Sequence, residues 1–150
     1  MKSNGFNILS SAALALVLIF TLAVPVFANS ESGTGTLTAS GRGRAAVKGT
    51  GEINITGAGV LMVRDKGGDA IIEVDGKGTR SELSNGWIRY KGYEGSAYIS
   101  GTDVEVVLTG VNIDLLVNGT GKVILRGRGT YQVGDLKGVW TLFGKTVVLP

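Results

Sequence analysis

Chemistry that moves protons would fall, in this chain, to carboxylates such as Glu73, Asp75, Glu94, Asp103 and Glu105, or to a Lys or Arg base. The 150 residues include no histidine and no cysteine. That excludes a Ser-His-Asp triad, an imidazole base and a His-ligated metal, together with disulfides, Fe–S clusters and thiolate sites. The carboxylates show no spacing that marks a perturbed pair, and alternating charge on exposed strand faces accounts for them. The sequence therefore predicts no catalytic residue, no cofactor and no enzyme.

The stretch "GGDAIIEVDGKG", Gly67 to Gly78, lies near the calcium-binding β-roll nonapeptide pattern. It lacks the Gly-Gly-x-Gly-x-Asp core and does not repeat. Asp69 and Asp75 fall at opposite ends of one strand, short of the six or more oxygens a hard cation wants. The expectation is turn carboxylates bonded to nearby backbone, and no metal. No helix follows any Gly-x-Gly, so none of them makes a phosphate loop.

A second constellation is aromatic. Trp87, Tyr90, Tyr93 and Tyr98 fall within twelve residues, with Arg89 and Lys91 between them. Alternation separates Trp87 and Arg89 from Ile88 and Tyr90, so one set is exposed if the other is core. Exposed aromatics beside cations stack on sugars or on a partner protein, while buried ones fill an enlarged core. Trp87, Arg89, Tyr90 and Tyr93 are the candidate binding residues, for a glycan or an envelope protein.

The elements that must hold these residues are legible in the glycines. Gly-x-Gly recurs every eight residues, from Gly33/Gly35 through Gly41/Gly43 and Gly49/Gly51 to Gly57/Gly59. Twenty-five glycines, only two prolines and intervals rich in Val, Ile, Leu, Thr and Tyr describe short strands rather than a linker or helices. Alternation places Ile53 and Ile55 on one face, matched by Leu37/Ala39, Ala45/Val47 and Leu61/Val63. The same habit continues through Val104/Val106/Leu108, Ile113/Leu115/Val117, Val123/Leu125, Tyr131/Val133, Trp140/Leu142 and Val147/Leu149. About fourteen strands result.

The fold class is all-β. Two arrangements fit the period: a β-solenoid (β-helix) with Gly-x-Gly corners and Leu37 stacked under Leu61, or an antiparallel arrangement. In the latter, Ile55 lies opposite Leu61 and Ile53 opposite Val63, and the strands form a β-sandwich. Size favours the solenoid, because a single barrel of that many strands would be too wide to fill. The middle of the chain, from Arg64 to Ser100, breaks the exact period and is where a binding site is expected.

Gly-x-Gly-bounded strands behind a leader segment resemble the secreted, Gly-rich β-repeat proteins of prokaryotes, including the head domains of autotransporter adhesins. The likeness covers Gly33 to Gly129 and rests on the Gly-x-Gly spacing. Those heads more often read Gly-Ser-Gly-Asp with longer repeats, which this chain lacks. The resemblance implies adhesion.

Lys2, the thirteen-residue apolar run Ala12 to Val24 and Val26-Phe27-Ala28 predict a signal peptide over residues 1–28, cleaved after Ala28. One domain, 29–150, then remains, secreted or held at the cell envelope, and it meets the membrane only through the leader before cleavage. The charge of +3 is spread along the chain, suggesting neither nucleic acid nor a polybasic membrane patch. Asn54 and Asn118 stand in glycosylation sequons. Thr146 to Leu149 is an apolar strand expected either to cap the core or to form weak homo-oligomers. The leading expectation is an exported, non-enzymatic structural or adhesive β-repeat protein. A carbohydrate-binding module using Trp87–Tyr98 is the alternative, and a polysaccharide-acting enzyme is third.

Overall fold

β-branched and aliphatic residues alternating with polar ones hold nearly the whole described chain in extended structure. The computed structural model describes residues 30–32 and 35–150; the expected leader and its cleavage site lie outside the described residues. Six strands follow in order: β1 (Ser30–Ser32), β2 (Thr36–Asp65), β3 (Ile71–Glu82), β4 (Trp87–Val133), β5 (Leu136–Val139) and β6 (Lys145–Leu149). The fold is all-β, an open sheet in which β2, β3, β5 and β6 all pair antiparallel with β4. Only β1, alongside β6, pairs parallel.

Two strands replace most of the many short ones expected, because the glycine corners stay inside the ladder. Glycine meets glycine across it: Gly41 with Gly129, Gly43 with Gly127, Gly49 with Gly121 and Gly51 with Gly119. A Cβ on Gly49 would lie 2.9 Å from the Gly121 Cα and closer still to the Thr120 carbonyl oxygen. The backbones bend together where neither carries a side chain, and no hydrogen bond need be lost.

β2 has β4 on both sides. Leu37 pairs with Val117 and with Val133, and Ile55 with Ala97 and with Leu115. Neither pairing expected of Leu61 is present, whether above Leu37 or opposite Ile55; its partners are Tyr90 and Leu108. Every arm of β2 has an arm of β4 on each side.

The inward residues form one core. Leu37, Ala39, Ala45, Val47, Ile53, Ile55, Leu61 and Val63 of β2 are all buried, as are their counterparts from Val104 to Val133. Leu142 departs from the expected alternation and is 64% exposed, because its segment turns away from the ladder after the buried Trp140. β6 caps the core through Val147 and Leu149. Its two edges are taken by Gly121–Leu125 of β4 and by β1.

Candidate functional site

The registers sort the arms between glycine corners into two laterally bonded rows. The first row runs through residues 130–133, 36–40, 114–118, 52–56, 96–100 and 71–75. The second runs through 122–126, 44–48, 105–109, 60–64, 87–91 and 79–82. Side chains that point away from the core give each row an outer side, and the two differ in chemistry.

Two of the four candidate binding residues stand on the outer side of the second row. Trp87 is half-buried and Arg89 exposed. Trp87 pairs with Arg64, whose guanidinium carbon sits 4.6 Å from its ring centroid. That cation–π contact occupies one face of the indole. Arg64 also donates through Nε to Glu105 Oε2 at 2.7 Å, and Glu105 Oε1 lies 3.6 Å from Lys48 Nζ. A chain Trp87–Arg64–Glu105–Lys48 therefore crosses four arms, two of β4 and two of β2.

Tyr90 packs inward against the core, and Tyr93 is a core residue, 1% exposed. Strict alternation would have turned Tyr93 outward. Gly92, at φ +67°, has no partner in the ladder between Gly59–Tyr93 and Val60–Lys91. This bulge reverses the alternation. The Tyr93 hydroxyl donates to the Ile55 carbonyl at 3.2 Å, and burial pushes its pKa up to about 12.

Around Trp87 and Arg89 the outer side is basic with an apolar middle. In register across it run Ile124, Ala46, Val107 and Met62, followed by Arg89 and then Ser81. One flank carries Lys122, Lys48 and Arg64; the other carries Arg126, Arg44 and Lys91. Glu105 is the one acid on this side, since Glu82 of the arm 79–82 is in register with Ile88 rather than with Arg89. Sequence reading found the charges spread. The antiparallel ladder gathers them: "RGR" at 42–44 lies against "RGR" at 126–128, with Arg42 opposite Arg128 and Arg44 opposite Arg126. The repeated tripeptide was the available signal.

The outer side of the first row is polar. A groove of about 820 Å³ crosses it, with Thr38, Ser40, Asn54, Asp114 and Gln132 among its polar lining and Leu116 and Val139 among its apolar lining. Ser40 donates to Asp114 there. A smaller hollow of about 240 Å³ shares Asn54 and Thr56 with the groove and reaches Tyr98, Glu73 and Asp75. The Tyr98 hydroxyl donates to Glu52 at 3.2 Å.

Four further carboxylates have partners of their own. Asp69 accepts from the Thr102 N–H at 2.8 Å and hydroxyl at 2.9 Å, bonds that lower its pKa. Asp65 accepts from the Gly68 and Ala70 N–H groups, at 2.7 and 3.0 Å. Asp65 thus takes the local turn role expected of Asp69 and Asp75, whereas the Asp69 bonds reach Thr102, 33 residues along the chain. Asp103 pairs with Lys66 at 3.6 Å and Glu94 with Lys77 at 3.8 Å. No protein-family model, curated protein or solved structure matches the chain, so the reading of both outer sides rests on their chemistry.

Proposed function

We propose that the protein is an exported, non-enzymatic adhesive module of the cell envelope whose contact surface is the outer side of the second row. One observation carries the reading: seven cations, Arg44, Lys48, Arg64, Arg89, Lys91, Lys122 and Arg126, surround an apolar stripe beside a single acid, Glu105. Like charges placed across a ladder oppose folding, so a surface that keeps them serves an anionic partner. The likeness to adhesin heads supports adhesion by analogy, and Lys2 with the apolar run after it supports export. The register also supports a ribbon wound so that its two rows face each other across the core, nearer a sandwich than a three-sided coil.

The test is retention of the 29–150 chain on an immobilised polyphosphate against a neutral polysaccharide. Retention on the anionic matrix is expected to fall by about fivefold for each of Arg44→Gln and Lys122→Gln. Equal retention of wild type and variants would end the reading. N-terminal mass analysis of exported protein is expected to find Asn29 first.

The groove on the first row favours a second reading, a carbohydrate-binding module. Its hydroxyls and amides suit neutral sugars, and its continuation reaches Tyr98, an aromatic of the predicted region. A glycan array in which Asn54→Ala abolishes a saturable signal and Lys122→Gln leaves it intact would favour this module.

A further inference from the structure

The turn Thr141–Gly144 carries the two most exposed large apolar side chains among the described residues, Phe143 at 96% and Leu142 at 64%. It is firmly held. The Gly144 N–H donates back to the Thr141 carbonyl at 3.2 Å, closing a β-turn with Leu142 and Phe143 at its tip. The Gly127 N–H also reaches the Thr141 carbonyl, at 3.0 Å, and Arg126 Nε donates to the Leu142 carbonyl at 2.9 Å. The turn thus projects its side chains by construction. Ile124, 44% exposed, stands beside it, 3.6 Å from where a Gly144 Cβ would be.

The same bonds tie the turn to the paired "RGR" tripeptides. Arg42, Arg44 and Arg128 are exposed and have no acidic partner among the described residues. Opposed in pairs across the ladder, these guanidiniums repel one another unless an anion lies over them.

We propose that this corner is a membrane-docking tip, in which Leu142 and Phe143 enter an anionic phospholipid surface and the arginines bind its phosphates. The inference rests on the reading of the basic side as the contact surface and names what that side meets. A protein partner needs about 800 Å² of complementary surface on each side, which a single convex turn does not offer. A soluble polyanion would leave Phe143 in water. A bilayer surface stacks phosphates over acyl chains within about 5–10 Å, the arrangement this corner matches.

The experiment is flotation of the 29–150 chain with vesicles of equal parts phosphatidylglycerol and phosphatidylcholine, beside vesicles of phosphatidylcholine alone. Wild type is expected to float with the anionic vesicles only. Leu142→Ser with Phe143→Ser is expected to weaken binding by about tenfold or more. Arg42→Gln with Arg128→Gln should weaken it by about fivefold per arginine. All four side chains are exposed, and an unchanged circular dichroism spectrum confirms that each variant folds. Wild-type affinity in the serine variant overturns the tip. If that protein still binds polyphosphate through its arginines, the basic contact surface survives while the membrane assignment falls. Absence of binding to vesicles and polyphosphate alike overturns both.

Discussion

Glycine at a ladder corner is held by what faces it. Gly49 has the Thr120 carbonyl and the Gly121 Cα where a side chain would go, whereas Gly68, at φ +80°, has no heavy atom within 4 Å of that position. Gly49→Ala must push two backbones apart and is expected to cost about 3 kcal/mol. Gly68→Ala meets only left-handed backbone strain, about 1 kcal/mol. Urea unfolding of the two variants should show that ranking. Tyr93 gives a pH signature. Its folded pKa, about 12, lies above the usual 10, so its contribution to stability is complete below pH 10 and is lost as pH rises towards 12. Tyr93→Phe should lose about 1 kcal/mol at neutral pH with the bond to Ile55 and show a shallower decline between pH 10 and 12.

At the scale of elements, alternation located the core with few errors. The eight β2 residues assigned inward are buried, as are those from Val104 to Leu125. Two-residue periodicity survives here because one side of each arm is fully covered. It failed at Tyr93, where one extra residue at Gly92 reverses it, and at Leu142, which belongs to a turn. Pairing was not legible, because local spacing carries no record of which distant arm lies alongside. After Gly101 the habit continues with a looser period, and the corners persist there in another spelling. Asp103 at φ 44° and Asn112 at φ 53° stand where a second glycine would, in Gly101-Thr102-Asp103 and Gly110-Val111-Asn112. Short polar side chains tolerate the left-handed region that corners demand. Asn112→Gly is therefore expected to be nearly neutral and Asn112→Val to cost about 2 kcal/mol, read from thermal midpoints.

For the molecule as a whole, the two-sided pairing of β2 makes folding a non-local event. Leu37 waits for Val133 and Ser40 for Thr130, so β2 gains no pair from its chain neighbours, and early pairing is confined to the β3–β4 and β4–β5 hairpins. Loop closure is then unfavourable before contacts reward it. Refolding of the 29–150 chain from urea should be slow, on the order of seconds, and lose amplitude to aggregation as concentration rises. Stopped-flow fluorescence of Trp87 and Trp140 would follow it. The contrast between the outer sides belongs to this scale too. It depends on which arms are neighbours, which explains why the basic gathering could not be seen in a linear count of charges.

The alternation of rows also limits how such a chain can change its length in evolution. An eight-residue duplication within β2 would keep every inward residue inward and every Gly-x-Gly on a corner, because eight is the period of both. It would, however, move each later arm into the opposite row, mixing basic arms with polar ones. Sixteen residues added to both strands restore the rows and keep the two strands matched in length. Descendants of this ribbon should therefore differ by paired double units, inherited in concert at two distant places in the gene.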